Sequence, residues 1–160
     1  MMDMIYLVDL LSSSIDLELK LRLQKDTVKV IFLTHHVKIT LEKNGIQGAL
    51  LSNYFNLESW DEVNHELYRY YMNMFQETAK GDVKVVNLDQ FDCWSNFILG
   101  ETNSGFIMVS ALERVILSEQ PKRIECISDH RDSIFAKYLK ILRQLGDHYH
   151  IPVSMDSVEI

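Results

Sequence analysis

Short apolar runs that end in polar residues are the feature of this sequence that most restricts its fold. Residues 4–8 and 28–33 are such runs, and they are followed by Asp9 and by Thr34-His35-His36, respectively. Runs of this length are typical of strands buried inside a sheet. We therefore predict strands at these two positions, with further strands at residues 46–51, 83–86, 124–127 and 151–155.

Between most of these runs, apolar residues recur every three or four positions, which is the period of a helix. This spacing predicts a long helix over residues 59–79, in which Ser59 and Glu62 form a capping box. Two further helices are predicted over residues 106–118 and 133–145. Asp132 is expected to cap the start of the last helix, and Gly146 is expected to end it.

Residues 15–23 are ambiguous, because their apolar and polar residues alternate strictly, which is the period of a strand. Their composition favours a helix, since Leu, Glu, Lys and Arg are good helix formers. A helix here also supplies the crossover that joins two successive parallel strands. We interpret the segment as a helix, and a hairpin with residues 28–33 is the alternative.

Strands and helices thus nearly alternate along the chain, which predicts an α/β fold with right-handed crossovers. We expect a Rossmann-like three-layer sandwich with a mostly parallel sheet. The length of 160 residues suits a single α/β domain.

The composition excludes several classes of function. The formal net charge of −7 argues against a nucleic-acid partner, which needs clustered Lys and Arg. No signal peptide and no apolar run of the ~20 residues needed to span a membrane are present, so a cytoplasmic location is expected. The glycines form neither a dinucleotide fingerprint nor a Walker loop, so no cofactor is predicted. Cys93 and Cys126 are expected to pack as small apolar residues, without a disulfide or a zinc site.

Candidate functional residues follow from the rule that ligands bind outside the carboxyl ends of the strands in open parallel sheets. Asp9 and His130 are the candidate catalytic residues, because a carboxylate or an imidazole can act as a general base. The other selected residues offer hydroxyl, imidazole, carboxylate and guanidinium groups to a polyhydroxylated or anionic substrate. These predicted substrate-binding residues are Ser12, Ser13, His35, His36, Asp129 and Arg131.

Each of these residues also has a purely structural interpretation, which the sequence leaves open. The serines are common helix caps, Asp9 is a common turn former, and the histidines suit a polar turn. No cluster of metal ligands is predicted, since His148 and His150 have no convincing further ligand in the sequence.

Several segments share their order with a known family. They are the strand at residues 28–33, the tyrosine-rich helix, Phe91-Asp92-Cys93-Trp94, and the stretch from Leu112 to Ile124. In this order they resemble the N-terminal half of two-domain surface-carbohydrate glycosyltransferases of the GT-B fold. In that family a helix ends before a Pro, a strand and a polar turn follow, and a later strand begins with Gly-Ile-Pro. His150 stands here in place of that glycine.

The resemblance implies an acceptor-side N-terminal domain of a GT-B-like glycosyltransferase in surface polysaccharide synthesis. It implies a nucleotide-sugar and a carbohydrate acceptor as partners, and a C-terminal domain beyond Ile160 that holds most contacts to the nucleotide-sugar. The chain alone is then not expected to turn over. The alternative is a stand-alone α/β ligand- or protein-binding module without catalytic activity. A small hydrolase or phosphatase ranks last, because no nucleophile motif is present.

Overall fold

The computed structural model describes residues 2–55, 105 and 107–157, together with positions 61, 62, 65, 66, 68, 69 and 73. The chain divides into two compact units, one made of residues 1–55 and 108–160 and the other of residues 56–107. In the second unit all of the described positions are helical, and those from 61 to 73 fall within the predicted helix 59–79. The predicted strand 83–86 and the Phe91–Trp94 segment lie outside the described residues.

The first unit is built on five strands, which are all parallel, as the sequence predicts for this α/β, Rossmann-like class. The strand order is β3-β2-β1-β4-β5. The strands are β1 (Met4–Asp9), β2 (Val28–Phe32), β3 (Ala49–Leu50), β4 (Arg123–Ser128) and β5 (Val153–Ser157).

In the described part of the chain, the helices that accompany this sheet are α1 (Leu17–Leu23), α2 (His35–Lys43), α3 (residues 107–119) and α4 (Ile134–His148). A 3₁₀ turn, Leu51–Tyr54, follows β3. The helical interpretation of residues 15–23 is confirmed, and the hairpin alternative is wrong. Only Leu19 and Leu23, which are four residues apart, are buried, as expected for one face of a helix. The exposed Leu17 and Leu21 complete the alternation that resembles a strand.

One helix and several strand boundaries differ from the sequence prediction. Helix α2 was unexpected, because Thr34-His35-His36 suggests a polar turn, yet the Thr34 hydroxyl caps the helix by accepting from the Val37 amide. Only residues 49 and 50 of the predicted strand 46–51 pair with β2. The last strand begins at Val153 instead of residue 151.

The predicted ends of α4 are also wrong. Ser133, not Asp132, is the N-cap, and the helix continues through Gly146 to His148. Gly146 is required by a close approach, since a Cβ there would lie 2.4 Å from the carbonyl oxygen of Ile151. The left-handed position after the helix is occupied by His150, with φ 58°.

The core has two layers, one on each face of the sheet. One layer joins Ile5 and Leu7 to α3 and α4, and the other joins Tyr6 and Val8 to α1 and α2. Because successive residues of β1 are buried on opposite faces, the strand reads as a continuous apolar run. Cys126 lies in the first layer, where burial raises the pKa of its thiol to about 12. Within the part of the chain that the structure describes, no helix has the length and apolar character to cross a bilayer.

Candidate functional site

The carboxyl ends of β1 and β4 lie side by side, and their last residues, Asp9 and Ser128, are partners in the register. The loop after β1 leads to α1 on one face of the sheet, and the loop after β4 leads to α4 on the other face. The strand order also reverses here, since β2 and β3 lie on one side and β5 on the other. In open parallel sheets, this switch point is where ligands bind.

Asp9 joins the end of β1 to the start of α4. It is 7% exposed, and its Oδ2 accepts a 2.6 Å hydrogen bond from the hydroxyl of Ser133. The Ser133 hydroxyl in turn accepts from the Phe135 amide and so caps α4. One carboxylate oxygen therefore holds the residue that begins the helix.

His130 lies against the same carboxylate oxygen. Its Nε2 is 3.1 Å from Asp9 Oδ2, yet this buried nitrogen makes no contact with hydrogen-bond geometry among the described residues. Protonation of the ring would give Asp9 a cationic partner at ion-pair distance. The turn that carries the ring is held by Ser128, whose hydroxyl donates to the carbonyl of His130 and accepts from its amide.

Asp129 contacts the main chain of the loop that follows β1. Its Oδ1 accepts from the Leu11 amide at 2.9 Å, and its Oδ2 accepts from the Ser12 amide at 2.8 Å. The sequence predicts Asp129 as a substrate-binding residue, whereas in this structure both of its oxygens are engaged by the protein. Its position at the carboxyl edge agrees with the prediction.

The serines after β1 stabilise their own loop. The Ser12 hydroxyl donates to the Ser14 carbonyl at 3.0 Å and accepts from the Ser14 amide at 3.2 Å. Ser13 is exposed. The capping role considered for these serines is wrong, because the N-cap of α1 is Asp16, which accepts from the Leu19 amide.

The remaining predicted residues lie at the same edge but outside this group of contacts. His35 and His36 are exposed in the first turn of α2, which follows the strand next to β1. Arg131 is exposed in the turn after β4. The structure therefore brings Asp9, Asp129 and His130 together with the first loop, and leaves the other three at its periphery.

Ser128 and Ser133 were not assigned a functional role from the sequence, although both belong to the candidate site. Ser133 has a recognisable signal, because it immediately precedes the apolar stripe of α4, where an N-cap is expected. Ser128 begins the polar cluster after the predicted strand 124–127, but its contacts with His130 depend on the turn, which only the fold defines.

A groove lies at the opposite end of the sheet. It has a volume of about 490 Å³, lies between the ends of α3 and α4, and is lined by residues 116, 117, 120–122 and 149–151. Lys122 of this groove is paired with Asp3 at 2.6 Å. Among the described residues that line this groove, no two titratable side chains contact each other as Asp9 and His130 do. Among the described residues, no group of three or more His, Cys, Asp or Glu side chains is placed to hold a metal ion.

Comparisons with protein-family models, with curated proteins and with solved structures found no match to this chain. A functional proposal must therefore start from the contacts of Asp9, Asp129 and His130.

Proposed function

We propose that this chain is the acceptor-side N-terminal domain of a GT-B-like glycosyltransferase in surface polysaccharide synthesis. Its acceptor, a carbohydrate hydroxyl, binds at the carboxyl edge between β1 and β4. The observation that carries the proposal is the 3.1 Å contact between Asp9 and His130 at the strand-order switch point. A carboxylate next to an imidazole can orient the ring as a base, and such contacts often gain hydrogen-bond geometry only once the substrate is bound.

In this proposal His130 is the general base. Its Nε2 is buried against Asp9, so the proton of the acceptor hydroxyl is taken by the other ring nitrogen, Nδ1. The acceptor oxygen then bonds to the anomeric carbon of the donor sugar as the nucleotide departs with the electrons of the broken bond. The C-terminal domain of the complete enzyme stabilises that departing phosphate.

Asp9 acts as a positioning residue in the same scheme. Its burial and its hydrogen bond from Ser133 leave it poorly placed to meet a substrate directly. Its negative charge instead stabilises the imidazolium that forms when His130 takes the proton. Ser13, Arg131, His35 and His36 are the exposed groups that would contact the rest of the acceptor, together with Ser12.

The donor is a nucleotide sugar, which we assign to the C-terminal domain because the chain has no phosphate-binding motif. The chain by itself therefore neither turns over nor binds nucleotide sugars tightly. A cytoplasmic location also belongs to this proposal.

The test is amide NMR of the ¹⁵N-labelled chain during titration with galactose, N-acetylglucosamine and lactose. We expect saturable millimolar shifts at residues 9–13 and 128–133, and no comparable shifts with UDP-glucose. His130→Ala should abolish the saccharide shifts, whereas His148→Ala, an exposed histidine at the end of α4, should leave them unchanged. Shifts that are absent from this edge, or that survive His130→Ala, would contradict the proposal.

The alternative is a binding module without catalytic activity, which one observation favours. Asp9 and Asp129 both use carboxylate oxygens on protein groups, as residues with a structural role do. Such a module could recognise a protein through the groove between α3 and α4. The absence of saccharide shifts at residues 9–13 and 128–133 would favour this alternative.

A further inference from the structure

The loop after the first strand of an open parallel sheet commonly presents main-chain amides to an anionic group of the ligand. In this chain the amides of Leu11 and Ser12 occupy that place, and they already donate to the two oxygens of Asp129. The carboxylate comes from the turn after β4, far away in the sequence. A protein carboxylate therefore stands where two oxygens of a bound phosphate would otherwise be held.

The charges around this loop also oppose the binding of a phosphate. Asp9 ends β1, Asp16 lies in the loop that follows, and Asp129 and Asp132 follow β4, where Arg131 supplies a positive charge. A phosphate that approached the loop would have to displace both hydrogen bonds of Asp129 and enter a negative field. A neutral hydroxyl meets neither obstacle, because carboxylates and imidazoles accept hydrogen bonds from it.

We infer that Asp129 is a specificity-determining residue, which closes the β1–α1 loop to phosphate and restricts this edge of the sheet to neutral, hydroxyl-bearing ligands. The identity of the ligand as a carbohydrate rests on the proposed function. The exclusion of phosphate does not, since it follows from the contacts of Leu11, Ser12 and Asp129 alone.

The experiment is to remove the carboxylate and ask whether the loop then binds phosphate. Inorganic pyrophosphate is titrated into the full chain while the amide NMR signals of Leu11 and Ser12 are followed. We expect no saturable shift in the wild type, and binding at least about tenfold tighter in Asp129→Ala, because two charge-assisted hydrogen bonds become available to the ligand.

Asp132→Ala is the matched control. Asp132 is exposed in the same turn and loses the same charge, but the loop amides stay occupied by Asp129. Equal gains in Asp129→Ala and Asp132→Ala would overturn the inference, because charge alone would then explain the binding. Wild-type binding as tight as that of Asp129→Ala would overturn it as well.

Asp129→Asn protects the test against a loss of folding, since its side-chain oxygen can still accept from one of the two amides. We expect a gain in pyrophosphate affinity that is smaller than that of Asp129→Ala. If Asp129→Ala unfolds and a folded Asp129→Asn gains no affinity over the wild type, the inference is wrong. Neither result depends on saccharide binding, so a failure of the proposed function is seen separately.

Discussion

The two ends of the parallel sheet use polar residues in different ways. At the carboxyl end, Asp9 and Asp129 are bonded to buried or main-chain groups contributed by distant segments. At the amino end, Lys122 and Asp3 pair on the surface with 62% and 48% of their side chains exposed. The carboxylates of Asp9 and Asp129 are therefore held in fixed positions, whereas Lys122 and Asp3 form a surface ion pair.

The comparison also extends to the main chain. At the amino end of the sheet, the two helices that lead into β4 and β5 are followed by Gln120 and His150, with φ 47° and 58°. Left-handed backbone costs a residue with a Cβ about 1–2 kcal/mol. Strain at this end is thus found in the backbone, whereas the carboxyl end shows a buried ring nitrogen without a hydrogen bond, on His130.

The largest effect expected from this comparison is the loss of a carboxylate at the carboxyl end. Asp9→Ala removes the acceptor of the buried Ser133 hydroxyl and the charge next to His130. We expect the free energy of unfolding in urea to fall by about 2–4 kcal/mol. Asp3→Ala, the matched removal at the amino end, should lower it far less, because its pair with Lys122 is exposed and screened by solvent. Similar losses in both variants would remove the distinction between the two ends.

A substitution at the amino end is expected to stabilise the chain. His150→Gly relieves the left-handed strain and should raise the free energy of unfolding by about 0.5–1 kcal/mol. His148→Gly, at the last residue of α4, should instead lower it slightly, because glycine is a poor helix former. A loss of stability in His150→Gly would show that the imidazole makes a contribution larger than the strain.

An effect of similar size is expected at Glu119, at the end of α3, which accepts from Lys29 at 2.5 Å and from Tyr54 at 2.8 Å. Burial raises the pKa of Glu119, but the hydrogen bonds from Lys29 and Tyr54 outweigh it, so the net shift of the pKa is downward. The ionised carboxylate therefore stabilises the fold above its ordinary pKa of about 4.3. This contribution disappears as the pH falls through the lowered folded-state pKa.

Urea unfolding of the wild type and of Glu119→Gln between neutral pH and acid pH measures this contribution. The wild type should be more stable near neutrality by about 0.5–1 kcal/mol, a partly screened value, and the difference should shrink as the pH falls. A difference that is constant over the whole range would show that the Lys29–Glu119 pair gains nothing from ionisation of the glutamate.

Much of the fold could be predicted from the sequence, because the burial of strands on both faces leaves continuous apolar runs at residues 4–8 and 124–127. Helix α2 was missed since its signal, a Thr34 cap, is also typical of a turn. The observed strand β3 is shorter than the predicted strand 46–51. One reason is that Leu51 begins a 3₁₀ turn, which no local sequence pattern indicates.

The site was predictable in its position but not in its contacts. Parallel strands deliver Asp9 and His130 to one edge whatever the details of the loops, so the rule for strand ends selected them. The partners of Asp129 were not predictable, because the Leu11 and Ser12 amides belong to the main chain and carry no signature in the sequence. Likewise, the sequence suggests Asp9 as an exposed general base. Only its packing against α4 makes it a buried acceptor for the Ser133 hydroxyl.

The pairing of β1 with β4 places Met4 beside Arg123. One of the two partners of the central strand is therefore synthesised long after the strand itself. Until β4 leaves the ribosome, β1 can pair with β2 only, and its other side is an open edge of amides and carbonyls. Open edges are templates for incorrect pairing with other chains. The entropy of closing so long a loop must also be overcome before the pair is formed, which slows folding. The strand that is most protected in the native sheet is therefore the one most exposed to aggregation during synthesis.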